Sequence, residues 1–349
     1  TPDFQLGYRI FPTTKEGVGF GFDGTYDYME TPASPLFRGA GEFHTLYTTG
    51  DRGYYEWYHR QELTPDTVLL ANFEQWGDED FYKDFYYDQY KQRTAPRNFV
   101  NVTYTQPGYI ASATARKDTH DFVNETERLP EATFHLLERE LLPRVYLTFD
   151  TIDGYNVREA AGDEAFRSIN VARLSTDIEI GDAVNLTPFL EVEASYYSKT
   201  REDDSNARIS TLAGVTAQSR FQKAYDGAWG FSGFKHIVVP SVTYSYRAEP
   251  TMGVEETPTF DAYDNVYGRS RIETKIDNIV MGKDAETGET WQVARLSLYQ
   301  GNDFWNEIRK SKDYEIELDL RPRSWWGIET IGEHHSTDDE GDVELDNPY

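Results

Sequence analysis

TPFLEVEASYYSK, residues 187–199, decides how this chain is read. Pro188, Leu190, Val192, Ala194 and Tyr196 alternate with Glu191, Glu193 and Ser195. A period of two is that of a strand with one dry face and one wet face. Two ionised glutamates on the same face argue against burial there, because an unpaired buried carboxylate is costly. The pattern recurs along nearly the whole chain. A chain of such strands can fold as a soluble sandwich or barrel with a dry core. It can also fold as a membrane barrel, dry outside and wet inside.

Composition bears on that choice. The chain has 349 residues, of which 38% are hydrophobic and 15% aromatic, with 25 Tyr, 20 Phe and 7 Trp. A thin apolar skin between girdles of Tyr and Trp suits a membrane barrel. The competing reading is a carbohydrate-binding or sandwich protein with Tyr-rich faces. The net charge of −27 argues against nucleic acid as a partner, since that binding depends on Lys and Arg neutralising phosphate. Much of the acid stands in short clusters, Asp78–Asp80, Glu202–Asp204 and Asp338–Glu340. Solvated loops explain these clusters, and divalent-cation binding beside anionic lipid is the sharper alternative.

There is no Cys, which excludes disulfides and thiol catalysis within this chain. The first residue is Thr1 and no signal peptide precedes it, so the sequence reads as a mature or trimmed fragment. No run approaches the roughly 18 apolar residues of a spanning helix, whereas barrel strands need only about 10 each.

Strands are expected at Phe4–Ile10, Glu42–Thr49, Tyr54–Leu63, Thr67–Trp76, Phe99–Thr105, Tyr109–Arg116 and Arg144–Asp150. Further strands follow at Val171–Ile180, from Leu186, and at Ile209–Phe221, Ile237–Arg247, Ile272–Val280, Trp291–Leu298 and Tyr314–Leu320. Gly17, Gly19 and Gly21 share one face of a strand opposite Val18, Phe20 and Phe22. The helix that a phosphate-cradling loop requires does not follow. Asp78–Tyr90 reads as a loop leading into a short strand, or as a poorly specified helix. Leu129–Leu142 carries both helical and alternating spacing and is read as a strand followed by a loop. His334–Tyr349 reads as a polar loop or frayed end.

The fold class expected is all-β, a large antiparallel transmembrane β-barrel of about 18 strands in a single domain over residues 1–349. Connections such as Lys199–Ala207 and Arg247–Tyr267 are long and acidic, as loops at one end of a barrel are. Glu191, Glu193, Glu315 and Glu317 are the candidate lumen-facing residues, with Asp319, Asn101 and Thr103 on the same wet faces, and Val192 is expected to face lipid.

Chemistry is sparse. Seven His are scattered, and only His334-His335 beside Asp338 and Asp339 forms a cluster, which surface happenstance explains better than a metal site. No GxSxG is present, and no Ser–His pairing stands out. Glu191 and Glu193 could serve glycoside hydrolysis only at the right separation across a site, and a wet barrel wall is the simpler account. Asn101-Val-Thr and Asn124-Glu-Thr match the glycosylation sequon, which carries no weight in a bacterial barrel. No catalytic residue, cofactor or metal is expected.

Four segments, in order along the chain, are similar to the LptD family of outer-membrane lipopolysaccharide-assembly proteins, also called organic solvent tolerance proteins. They are DEDFYKDF (78–85), ERLPEATF (127–134), HIVVPSVTYSYR (236–247) and FDAYDN followed by RIETKIDN (260–278). The positions that carry the resemblance are Asp80, Phe81, Asp84, Phe85, Arg128, Leu129, Pro130, Glu131, His236, Pro240, Asp261, Asp264 and Asn278, and their role is read as structural. The resemblance implies transport of lipopolysaccharide into the outer leaflet of a Gram-negative outer membrane. The implied partners are lipopolysaccharide, an LptE-like plug lipoprotein, a periplasmic bridge protein of the LptA type and outer-membrane lipids. The sequence departs from the family in three ways. The family's N-terminal periplasmic domain is absent, its disulfides cannot form, and about 18 strands fall short of its roughly two dozen, which implies a truncated barrel. The alternative is a general diffusion porin or another outer-membrane channel, which should conduct ions freely where a plugged conduit should not. A barrel enzyme is the reading from a different class.

Overall fold

The computed structural model describes residues 3–13, 16–28, 38–91, 95–308, 310–323 and 325–337. Its first strands are β1 (Asp3–Thr13), β2 (Gly17–Tyr28), β3 (Arg38–Thr48), β4 (Gly53–Thr64) and β5 (Thr67–Trp76). Two short helices, α1 (Phe81–Phe85) and α2 (Tyr87–Tyr90), precede β6 (Phe99–Gln106) and β7 (Tyr109–Arg116). Then come β8 (Glu127–Leu142), β9 (Val145–Arg158), β10 (Asp163–Thr176), β11 (Ile178–Ile180) and β12 (Val184–Tyr197). β13 (Asn206–Ser219), β14 (Phe221–Asp226), β15 (Phe231–Arg247), β16 (Arg269–Asp284), β17 (Thr290–Asn306), β18 (Ser311–Arg323) and β19 (Trp326–Thr337) complete the sheet.

All pairings are antiparallel and run from each strand to the next along the chain, with two instructive exceptions. β10 and β11 meet β12 in one unbroken register, and the gap at Asp177 falls beside Pro188 on β12. β13 and β14 meet β15 in one register too, and their gap at Arg220 falls beside Pro240. Proline has no N–H to give the ladder, so each gap is local and the strand continues beyond it. Among the described residues the nineteen segments therefore make seventeen continuous strands, close to the number expected. Among the described residues no ladder joins β1 to β19, and the sheet is open between those two edges.

The distribution of polarity decides between a soluble sheet and a membrane wall. On β12, Glu193 is 6% exposed, whereas Leu190 is 48% and Val192 39% exposed. Arg167, Arg208, Asn156 and Glu74 are almost wholly buried, whereas Phe4, Leu6, Tyr8 and Ile10 of β1 stand exposed along one face. A water-soluble sheet would do the reverse, because exposing so much apolar surface is unfavourable in water. Apolar outside and polar inside is the polarity of a transmembrane barrel wall.

The two ends of the sheet differ. At one end the described connections are tight, and three of them, 65–66, 107–108 and 143–144, begin with proline. Proline presets the backbone of a turn's first corner, and Arg144 follows it at φ 65°, as a type II turn requires. The opposite end carries the long connections 77–98, 117–126, 198–205 and 248–268. Short turns face the periplasm and long loops the exterior in barrels of this kind.

One local expectation is decided between its alternatives and two are corrected. Of the two readings of Asp78–Tyr90, the helical one is found. The segment forms α1 and α2, whose Phe81 and Tyr82 pack with Leu46, Tyr54 and Trp76 in an aromatic cluster. Leu129–Leu142 is strand throughout, because pairing with β9 holds the LLERELL segment extended against its helix propensity. Residues 334–337 are no frayed end but belong to β19, paired with β18, while 338–349 lie outside the described residues.

Candidate functional site: a loop docked on the polar face

The connection 248–268 folds back over the polar face of β8–β13. It buries Met252, Phe260 and Val266 and closes with a single helical turn, Ala262–Asp264. Asp261 and Asp264 cap that turn reciprocally, each side chain accepting from the other's end of the backbone. Two arginines of the wall then hold it. Arg167 on β10, 0% exposed, donates through Nη1 to Asp261 Oδ1 and Asp264 Oδ2 and through Nη2 to Asp261 Oδ2, each at 2.8 Å. Arg208 on β13 donates to the Asp264 and Tyr263 carbonyls at 2.8 Å and to Glu193 Oε1 at 2.6 Å. Tyr197 adds its hydroxyl to Asp264 Oδ1 at 2.8 Å.

Buried charge of this density is tolerated only where each group is paired and its remaining hydrogen-bonding capacity met. Asp264 Oδ2 accepts from Arg167 and from the N–H groups of Phe260 and Asp261. Burial pushes the Asp261 carboxyl up. The hydrogen bonds and charge of Arg167, the Tyr263 N–H and Arg128 outweigh that and hold it below the usual carboxylate range. Neighbouring connections join in: Thr126 Oγ1 donates to the Phe260 carbonyl at 2.6 Å, and the Arg201 N–H to the Glu256 carbonyl at 3.0 Å.

Beneath the docked loop lies a cavity of about 430 Å³. Its acidic lining comes from Asp150, Glu191 and Glu193, its basic lining from Arg247 and Arg269, and Tyr263 and Tyr267 reach in from the loop. Arg247 donates to Ser210 Oγ at 3.2 Å and Glu191 Oε1 at 3.4 Å, and His135 meets Asp150 at 2.6 Å. The result is a polar, charge-lined space on the wall's inner side. No group of three or more His, Cys, Asp or Glu suited to a metal ion occurs among the described residues.

The residues singled out from sequence scatter across several sites. Glu191 and Glu193 line the cavity. Glu315 and Glu317 lie several strands away on β18, on the face opposite Tyr314 and Ile316, with Glu317 at 3.7 Å from Arg295. Glu131, Asp261 and Asp264 converge on Arg167, Arg128 pairs with Glu131 and Asp261, and Leu129 and Pro130 form the bulge that separates Arg128 from Glu131 on the β9 ladder. Asp80, Phe81, Asp84 and Phe85 belong to the α1 region, where Arg52 binds Asp84 at 2.8 Å. Pro240 marks the β13–β14 gap, and His236 pairs across the ladder with Lys223 and Val280. Asn278 stands on β16 opposite Val238 and Leu296. His335 contacts Asp313, and the Asp338 and Asp339 expected beside it lie outside the described residues.

Arg167, Arg208, Tyr197 and Arg247 were not anticipated. The available signal was an arginine on the wet face of an alternating strand, a position that needs an acidic partner.

No protein-family model matches the chain, and no curated protein matches it. Among solved structures it is similar to Pseudomonas aeruginosa OccK10 (OpdN), with a TM-score of 0.42 and 11% identity over 97% of this chain and 92% of that one. The expected membership of the LptD family, and with it lipopolysaccharide assembly as the function, is corrected on these findings. The segments behind it take unlike structures here: DEDFYKDF lies in the α1 region, ERLPEATF in β8, HIVVPSVTYSYR in β15 and FDAYDN in the docked loop. Arg128, Glu131, Asp261 and Asp264 have a sufficient reason to be where they are in the Arg167 network. What the sheet carries in its own right is the polarity of a transmembrane β-barrel wall, with a loop docked on its polar face.

Proposed function

We propose that the chain is a channel-forming outer-membrane protein that passes small polar or charged solutes, and not an enzyme. The observation that supports this is the 248–268 loop, which buried ion pairs hold against the polar wall beside a cavity lined by both signs of charge. A loop fixed inward narrows a lumen without filling it, and paired charges across a narrowing favour hydrated polar solutes over apolar ones. The sparse His and the absence of a nucleophile motif fit the same reading.

Planar-bilayer recording of the purified chain tests it. Stepwise, ohmic conductance in KCl is the expected result. Conductance should rise and become noisier when Arg167→Ala and Arg208→Ala are combined, because the loop loses both anchors. Folded protein that inserts, as judged by a heat-dependent gel shift, yet conducts nothing would overturn the proposal.

A further inference from the structure

The outward face carries a second recess, at the tight-turn end. Tyr225 and Phe234 face each other across the β14–β15 ladder, and the Phe231 ring packs at 4.9 Å from Phe234 and 5.1 Å from Trp291. Gly282 leaves the room for this, since a Cβ there would stand 2.6 Å from the Phe231 ring. Trp229 and Trp326 complete a mostly apolar groove of about 730 Å³. The even-numbered residues of β15 place it on the lipid side: Val242 and Tyr244 lie on the same face as Phe234 and stand exposed.

Two basic side chains, His236 and Arg323, line this groove, and Lys223 sits opposite His236 across the ladder. That runs against the chain's net charge of −27. Asp284, at the nearby end of β16, offsets part of the Arg323 charge while accepting from the N–H groups of Glu286 and Thr287 in its own turn at 2.8 Å, and Lys223 adds a second cation on the His236 side. Aromatic rings mark the depth of the headgroup boundary, where long cationic side chains reach toward phosphate.

We propose that this groove binds one anionic glycerophospholipid of the periplasmic leaflet, an acyl chain lying along Phe231, Phe234 and Trp326 and the phosphate meeting Arg323 and Lys223. The groove is continuous with the lipid-facing wall, so a membrane lipid reaches it without leaving the bilayer. Basic clusters at a membrane surface select anionic lipid by charge.

The test is native mass spectrometry of the full chain released from nanodiscs holding equal phosphatidylglycerol and phosphatidylcholine of matched chains. The wild type should retain one phosphatidylglycerol in preference to phosphatidylcholine. Lys223→Glu with Arg323→Glu should abolish that preference, with a loss on the order of fivefold for each cation removed, and Trp326→Ala should weaken retention of both lipids. Equal retention of the two lipids by the wild type would overturn the proposal. So would unchanged preference in the double variant, or full displacement by water-soluble glycerophosphate. If the double variant does not fold, Arg323→Gln set against Arg323→Lys asks the same question, only the former being expected to lose the preference. A chain lacking the heat-dependent gel shift in nanodiscs would instead count against the membrane-wall assignment itself.

Discussion

Arg167 carries more of the inner site than any other residue. It is wholly buried, and Asp261, Asp264 and Glu131 all turn toward it. Removing one partner of a buried ion network leaves the others uncompensated, at a cost of about 3–5 kcal/mol. Arg167→Ala should therefore undock the 248–268 loop while the strands stay paired, and protease specific for glutamate should then cut at Glu255 or Glu256. Resistance equal to the wild type would refute the anchoring role. Acid should release the same loop. The folded-state carboxyl of Asp261 lies below its unfolded value, so its contribution is complete above about pH 3.9 and is lost as pH falls through the lower folded value. His120 responds earlier. Its Nε2 accepts the Trp76 N–H at 2.9 Å, and burial pushes the imidazole down despite Asp118, so the neutral form is favoured. That contact is complete above about pH 6.5 and is lost as pH falls through the lowered folded value. Amide exchange at Trp76 should accelerate at milder acidity than exchange at Phe260.

The individual elements were legible wherever a local rule governs them. The alternation in Pro188–Tyr197 is local, and it sets which residues of β12 meet the wall's polar side and which its outer side. Val192→Arg should accordingly cost about 2–4 kcal/mol near the bilayer midplane, read as a lower unfolding midpoint in urea with lipid vesicles. Glu193→Arg should act differently, by placing like charge against Arg208 at a contact now 2.6 Å long. Local rules mislead where pairing overrides them. LLERELL has helix propensity, yet the β8–β9 ladder keeps it extended. The docked loop lay beyond local reading altogether. Arg167 meets Asp261 across 94 residues and Asp264 across 97, and no spacing rule joins residues so far apart. Short motifs around Glu131 and Asp261 therefore suggested a family when their common cause is one arginine.

For the molecule as a whole, charge asymmetry has a consequence that no single residue shows. The 248–268 connection holds Glu249, Glu255, Glu256, Asp261 and Asp264 and neither Lys nor Arg. Arg167 answers the last two, which leaves three glutamates on a loop over the inner face of a chain of net charge −27. Clusters of one sign beside low-dielectric walls concentrate counter-ions. A KCl gradient across a bilayer should therefore give a reversal potential of the sign set by cation preference. That preference should shrink as salt rises, because the screening length falls from about 10 Å at 0.1 M to about 3 Å at 1 M. Glu255→Gln with Glu256→Gln should weaken the preference without changing the folded state, since neither side chain belongs to the Arg167 network. An anion preference, or a cation preference that the two substitutions leave untouched, would place the selective charge on the wall around Arg247 and Glu191, and the loop would then act by its bulk alone.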